Sequence, residues 1–177
     1  MGTSKKQTNK FKSPTKIWDK SRIDRDRILR KRYGFKSKKE LWKEESFLRN
    51  IRKRARDIIA SKATNTEAEG EKTFIEKLNK LGLVGKDATE DNVLELGIEN
   101  ILERRLQTIV FKKKLARSIN EARQMITHSH IALGDKVVSA PSMLVNREDE
   151  EKVNYAPNSP FKSETHPIRA NKEENKG

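Results

Sequence analysis

Apolar residues recur at every third or fourth position along much of the chain, which is the spacing of one buried face of an α-helix. The clearest stripe follows Ser37, which forms a capping box with Glu40. It consists of Leu41, Leu48, Ile51, Ala55, Ile58 and Ile59. The sequence therefore predicts a long helix that begins after Ser37.

Shorter helical segments lie on both sides of this stripe. A very basic helix is predicted from Arg22 to Tyr33, and Gly34 closes it. Residues 63–70 are small, polar and acidic, so a loop or a frayed helix start is predicted there. A further helix is closed by Gly82, and its apolar face is Phe74, Ile75, Leu78 and Leu81. Thr89 is expected to cap a short turn of helix that continues through Leu96.

A single helix is predicted after Gly97, with basic residues in its last turn. Its apolar face is Ile98, Ile101, Leu102, Leu106 and Ile109. This period leaves four side chains pointing partly outward, namely Arg104, Arg105, Gln107 and Thr108.

A second capping box, made by Ser118 and Glu121, starts another helix at Ile119. Its inward positions are Ala122, Met125 and Ile126. The side chains expected outside are Arg117, Asn120, Arg123, Gln124 and Thr127.

The period changes to that of strands after Ser129. A hairpin with a two-residue Gly134-Asp135 turn is predicted around residues 131–138, and Met143 to Val145 is predicted as a further strand. The chain after Asn146 is acidic and then rich in Pro, and its last fifteen or so residues are expected to be disordered when free. The fold class is mainly α with a small β element (α+β).

These elements predict four parts: a basic extended arm over 1–21, a helical domain over 22–97, a second domain over 98–155 that combines helices with the hairpin, and a flexible tail over 156–177. In the arm, Phe11, Ile17 and Trp18 could pack on the protein's own core or stack on bases, and packing on the core is favoured.

Positive charge is concentrated in two blocks. Lys and Arg outnumber Asp and Glu by 22 to 7 in residues 1–62 and by 9 to 2 in residues 104–147, whereas residues 63–103 carry 4 against 10. The formal net charge is +14. A nucleic acid is the favoured polyanionic partner, bound at two separate surfaces, with an anionic membrane surface as the second choice.

The residues expected to bind nucleic acid come from both basic blocks. Residues 49–56 contain six basic or amide side chains and no acid, which favours phosphate contact. The full set is Lys12, Arg22, Arg49, Arg52, Lys53, Arg56, Arg104, Arg105, Lys112, Lys113, Lys114, Arg117, Ser118, Arg123, Gln124, His128 and Lys136. Ser118 stands at a helix N-terminus, where backbone donors can hold a phosphate. Recognition by shape and backbone weakly favours RNA over DNA.

Catalytic and metal-binding patterns are not found in the sequence. There is no Cys, which excludes thiolate zinc sites, and no phosphate-cradling glycine loop. His128 and His130 lack a nearby carboxylate that would complete a metal site. We therefore expect no cofactor, no metal and no enzymatic activity. No apolar run approaches a membrane span, and the start MGTSKKQTNK lacks a signal-peptide core, so a cytoplasmic protein is expected.

Several blocks together carry a family resemblance. LERRLQTIVFKKKLARSINEARQMITHSHIALGDKVV, preceded by YGFK and KSKKELWKEESFLRNIRKRAR and followed by NYAPNSPF, is similar to the small-subunit ribosomal protein S-four family in its archaeal and eukaryotic form. The likeness covers residues 5–162. Residues 98–155 then correspond to that family's RNA-binding domain. The turn at Lys112 to Leu115 reads KKKL where many relatives have a glycine.

The resemblance implies a structural constituent of the small ribosomal subunit and a primary binder of its ribosomal RNA at a multi-helix junction, which nucleates assembly. It also implies a place beside the S-five protein and the channel through which messenger RNA enters, with a contribution to translational accuracy. Some bacterial members have an N-terminal zinc site of cysteines, which this chain lacks. The alternatives are an RNA-modifying enzyme that uses the second domain as a substrate handle, and a free RNA chaperone.

Overall fold

A computed structural model describes residues 9–64, 70–85 and 88–163. In these ranges the chain forms eight α-helices, three strands and a short 3-10 helix over Pro160–Lys162. The helices are α1 Lys20–Tyr33, α2 Lys38–Ala63, α3 Glu71–Lys80, α4 Glu90–Glu95, α5 Ile98–Glu103, α6 Leu106–Lys112, α7 Ile119–Thr127 and α8 Arg147–Glu150, and the strands are β1 Ile131–Leu133, β2 Lys136–Val137 and β3 Val153–Tyr155. The mainly helical α+β prediction is confirmed.

Helix α2 forms the centre of the first part of the molecule. Its predicted apolar stripe faces a core shared with α3, α4 and α5, in which Ala55, Val93 and Ile101 are completely buried. Ile59 is only half-buried. Ser37 caps α2 as predicted, since its Oγ accepts the Lys39 N–H at 3.2 Å.

Helix α1 packs against the N-terminal end of α2 through a smaller core. This core contains Leu29, Tyr33, Phe35, Leu41 and Leu102. Asp19 caps α1, and Gly34 ends it in the left-handed conformation (φ 63°). The predicted basic helix is confirmed, with its start two residues earlier.

The single helix predicted after Gly97 is wrong, because the chain breaks into α5 and α6 at Arg104 and Arg105. Arg105 is extended (φ −71°, ψ 140°). The backbone groups released by the break bond to a distant segment: the Leu106 N–H donates to the Met143 carbonyl at 2.8 Å, and the Val145 N–H donates to the Arg104 carbonyl at 3.0 Å.

The predicted strand over Met143 to Val145 is also corrected. This segment forms only an isolated antiparallel bridge between Leu144 and Arg105. Leu144 packs on the core around α2, while Val145 belongs to the core of the C-terminal part. The segment therefore joins the two cores and does not extend the sheet.

The C-terminal part packs α6 and α7 on a three-stranded antiparallel sheet of order β2-β1-β3. Its core includes Leu106, Ile109, Ala122, Ile126 and Ile131. The predicted hairpin is confirmed, with Leu133 paired to Lys136 and Gly134 at φ 59°. Strand β3 pairs Ile131 with Tyr155 and had no counterpart among the predicted elements.

Ordered structure continues past the predicted boundary at residue 155. The Ala156 N–H donates to the His130 carbonyl at 2.8 Å, and the Phe161 ring packs edge-on against His130 at 4.8 Å between centroids. Residues 164–177 of the predicted tail lie outside the described residues, as do residues 1–8 of the arm and 65–69 of the loop.

Three more helices end, like α1, at a residue in the left-handed conformation, and two of these residues are not glycine. Gly82 closes α3 at φ 71°, Lys114 closes α6 at φ 57°, and Ser129 closes α7 at φ 62°. After α6 the Lys114 N–H donates to Phe111 and the Leu115 N–H to Val110, as in a Schellman motif. Lys114 thus occupies a conformation that favours glycine.

Candidate nucleic-acid interface

A shallow groove with a volume of about 470 Å³ lies between the arm, α1 and α2. We name it the cationic groove. Its charged lining is Lys12, Arg22, Arg25, Arg49, Arg52, Arg56 and one acid, Glu45. Five of these six cations are residues predicted to bind nucleic acid; Arg25 was missed, although its position three residues after Arg22 places both on one face of α1.

The acids around the cationic groove are already paired. Glu45 accepts from Arg25 at 2.5 Å, and burial raises the pKa of Glu45 despite this neighbour. Asp26, which is buried, lies 3.3 Å from Arg25 and 3.5 Å from Arg22. The groove thus retains an excess of positive charge for a polyanion.

The predicted cations of α2 divide by exposure. Arg49, Lys53 and Arg56 are exposed. Arg52 is half-buried and donates to the Leu96 carbonyl at 2.5 Å, which ties α2 to the end of α4. Lys53 is not among the residues that line the groove.

Arg105 is buried, and its predicted outward orientation is wrong. Only 1% of this residue is exposed, its guanidinium pairs with Glu44, and it lies 4.7 Å from the centre of the Phe35 ring. Desolvation lowers the pKa of Arg105 and raises the pKa of Glu44. A buried ion pair must offset the lost hydration of both groups, so it adds little net stability although it is costly to break.

Arg123 joins the same cluster from α7. It donates two hydrogen bonds to Glu40, at 2.8 and 3.0 Å, and Glu40 also lies 3.7 Å from Arg105. Arg123 is consequently half-buried and less exposed than predicted. The Glu40 carboxylate bonds to these arginines and the Ser37 side chain accepts the Lys39 N–H, so a simple Ser37 cap replaces the first predicted capping box. We call Phe35, Glu40, Glu44, Arg105 and Arg123 the junction cluster.

Gln107 and Thr108 are buried as well, which corrects their predicted orientation. The Gln107 amide donates to the Ile119 carbonyl at 2.8 Å and to the Gly34 carbonyl at 3.3 Å. It thereby joins α6 to the loop after α1. Thr108 donates to the Leu102 carbonyl across the break between α5 and α6, at 2.8 Å.

Three more predicted residues make contacts within the protein. Arg104 is half-buried and donates to Glu150 at 2.6 Å and to the Val145 carbonyl at 2.9 Å. Lys113 donates to the Glu151 carbonyl at 2.9 Å. The Ser118 hydroxyl accepts the Glu121 N–H at 3.1 Å, and the Glu121 carboxylate accepts the Arg117 N–H at 2.5 Å. These two bonds occupy backbone N–H groups at the start of α7, where the sequence predicted a phosphate site.

The remaining predicted residues of the C-terminal part are exposed. Lys112, which pairs with Glu103 at 3.3 Å, is one of them. The others are Lys114, Arg117, Gln124, His128 and Lys136. Gln124 and His128 line a mostly apolar cavity of about 340 Å³ with Met125, His130 and Phe161.

The apolar residues of the arm do not all pack on the core. Phe11 lies against Trp42, with 5.9 Å between ring centroids, as predicted. Ile17 and Trp18 are 66% and 89% exposed, so for these two the favoured interpretation is wrong.

Within residues 9–64, 70–85 and 88–163, no three His, Cys, Asp or Glu side chains are grouped so that they could hold a metal ion. In the same ranges no helix combines the length and the apolar character needed to cross a membrane.

Comparison with known proteins gives concordant matches. The family model for the S4 domain matches residues 104–151, which begin at the break between α5 and α6. Proteins named small ribosomal subunit protein uS4 are 45% identical in Thermoplasma acidophilum, 44% in Picrophilus torridus and 47% in Hyperthermus butylicus. These matches cover 96%, 96% and 91% of this chain and 86%, 93% and 91% of the relatives. With this identity over nearly its whole length, the chain belongs to the small ribosomal subunit protein uS4 family.

Proposed function

We propose that this protein is a structural constituent of the small ribosomal subunit and a primary binder of its ribosomal RNA. The observation that carries the proposal is the cationic groove, in which six cations face one paired acid. The membership of the uS4 family supplies the identity of the RNA. The protein acts in the cytoplasm, in the small subunit.

Two surfaces bind the RNA in this proposal. The first is the cationic groove, extended along α2 by Lys53. The second is formed by the exposed side chains of the C-terminal part, namely Lys112, Lys114, Arg117, Gln124, His128 and Lys136. The junction cluster holds the elements that carry them in one orientation. The bound RNA is a multi-helix junction, as the resemblance to the small-subunit ribosomal protein S-four family implies.

Neighbouring proteins extend the proposal. The α3 to α5 region carries most of the acidic block, including exposed Glu76, Asp91 and Glu99, and it faces solvent or a protein. The S-five protein is the proposed neighbour, and messenger RNA is a further contact where it enters the subunit. Through both, the protein contributes to translational accuracy.

The dependence of RNA affinity on salt tests this function. If about 6 to 10 phosphates are neutralised, the affinity for the five-prime domain of small-subunit ribosomal RNA falls by about a thousandfold or more between about 50 and 200 mM salt. An affinity that hardly changes over this range would contradict the proposal. An unrelated RNA of similar length serves as the control for sequence-independent binding.

Two further measurements separate the alternatives. A structural constituent sediments with small subunits in a one-to-one ratio, whereas a free RNA chaperone stays near the top of the gradient. An RNA-modifying enzyme would leave a modified nucleoside after incubation with RNA, which we do not expect.

A further inference from the structure

We infer that Trp18 is a stacking platform for an unpaired base of the RNA whose phosphates lie in the cationic groove. This inference rests on the proposed function and adds a base-contacting side chain to a surface that otherwise holds only phosphates.

Trp18 is 89% exposed, although an indole is among the side chains that gain most from burial. Trp42, the other tryptophan, is only partly exposed and packs against Phe11. Ile17 precedes Trp18 and is 66% exposed. Within the described residues, Ile17 and Trp18 are thus two neighbouring exposed apolar residues, which favours a contact with another molecule.

The backbone on both sides of Trp18 is held in place. The Arg22 guanidinium donates to the carbonyls of Lys16 and Ile17, each at 3.0 Å. On the other side, Asp19 accepts from the Ser21 N–H at 3.1 Å and from the Ser21 hydroxyl at 2.7 Å. These hydrogen bonds, the strongest being that from the Ser21 side chain, lower the pKa of Asp19. The exposure of Trp18 therefore belongs to an anchored turn.

Arg22 connects this turn to the cationic groove, because the same side chain lines the groove. Trp18 consequently stands at the rim of a surface suited to a phosphate backbone. A strand whose phosphates follow the groove presents its bases to the side, and every base has a face on which an indole can stack.

Charge favours RNA over a protein as the occupant. Residues 9–36 contain eleven Lys and Arg against three Asp. A protein partner would need a strongly acidic surface with an apolar centre, whereas an RNA strand supplies negative charge and flat apolar faces together. We therefore assign the rim to an unpaired nucleotide.

The two tryptophans allow a direct fluorescence test. In Trp42→Phe, Trp18 is the only indole, and in Trp18→Phe only Trp42 is left. The probe is the five-prime domain of small-subunit ribosomal RNA, with binding followed independently by a dye on the RNA. Stacking on a base quenches Trp18 emission on binding in the first variant, while emission in the second changes little.

Affinity provides the second readout. Trp18→Ala lowers the affinity for the same RNA by about tenfold or more, and Trp18→Phe, which keeps an aromatic face, loses less. Ile28→Ala, which truncates another exposed apolar residue of the same region, is the matched control and leaves affinity unchanged.

Two outcomes would overturn the inference. If the labelled RNA binds with normal salt dependence while Trp18 emission and the affinity of Trp18→Ala stay unchanged, the proposed function stands and the stacking role is refuted. If Trp18 emission responds only when other small-subunit proteins are added, the rim is a protein contact. Failure of the labelled RNA to bind at all would instead count against the proposed function.

Discussion

The junction cluster and the cationic groove use arginine in opposite environments. In the junction cluster, Arg105 is 1% exposed, pairs with Glu44 and shares the Glu40 carboxylate with Arg123. In the groove, Arg49 and Arg56 are exposed and face mainly other cations. A buried guanidinium needs an acid beside it, whereas an exposed cluster of cations is tolerated and attracts an anion. The junction cluster therefore stabilises the fold, and the groove remains available as the proposed RNA surface.

The largest expected effect is on stability at the junction cluster. Arg105→Ala leaves Glu44 buried without its partner, so the free energy of unfolding falls by about 3–5 kcal/mol. Chemical denaturation measures this change. Arg56→Ala, the exposed control, changes it by less than about 0.5 kcal/mol. Similar values for the two variants would remove the distinction between the two regions.

The groove is expected to respond in affinity. Replacing both Arg49 and Arg56 by Ala removes two proposed phosphate contacts, so RNA affinity falls by about tenfold to a hundredfold and the salt slope becomes shallower by about 2. Binding titrations at several salt concentrations measure both quantities. Lys72→Ala, an exposed cation of α3 outside the proposed surfaces, is the control. A loss of stability with no change in the salt slope would contradict the assignment.

Arg117, just before α7, and Arg123, within α7, allow an exposed and a paired arginine to be compared over a short segment. Both were predicted to lie outside, but Arg123 makes two hydrogen bonds to Glu40 while Arg117 is exposed. Arg123→Ala is expected to lower the free energy of unfolding by about 1–2 kcal/mol, the partial exposure of the pair being taken into account. Arg117→Ala leaves stability nearly unchanged and weakens RNA binding. Thermal unfolding and RNA titration of the two variants test this, and equal losses of stability would refute it.

The smallest effect concerns Lys114, whose backbone conformation lowers stability while its charge is proposed to bind RNA. The left-handed backbone costs about 1–2 kcal/mol. Glycine removes this strain but also makes the unfolded chain more flexible, so only part of the cost is recovered. Lys114→Gly is expected to raise the free energy of unfolding by about 0.5–1 kcal/mol and to lower RNA affinity a few-fold. Lys114→Ala should lower affinity without the gain in stability. If both variants are equally stable, the turn carries no strain.

Local patterns predicted the elements whose cause is local. The stripe of α2, the caps at Ser37 and Ser118, and the Gly134 turn each depend on residues a few positions apart, and all are present. The apolar period from Ile98 to Ile109, in contrast, continues through the break at Arg105. That break depends on bonds to residues 143–145, which no local pattern contains.

The same reason explains which predicted site residues are exposed and which are buried. Sequence reasoning treats a charged side chain as exposed by default, and this default held for Arg49, Lys53 and Arg56. It failed for Arg105 because the partner acids stand about sixty positions earlier, on another helix. The family-specific LERRLQT block thus contains buried residues that join the two parts, and its RNA role is indirect in our proposal.

Chemical footprinting of the five-prime domain of small-subunit ribosomal RNA tests whether two separate surfaces of this protein bind the RNA. We expect two groups of protected nucleotides. The Arg49→Ala, Arg56→Ala double variant loses one group, and a Lys114→Ala, Arg117→Ala double variant loses the other. If either variant loses both groups together, or if the groove variant leaves the footprint unchanged, the claim is contradicted.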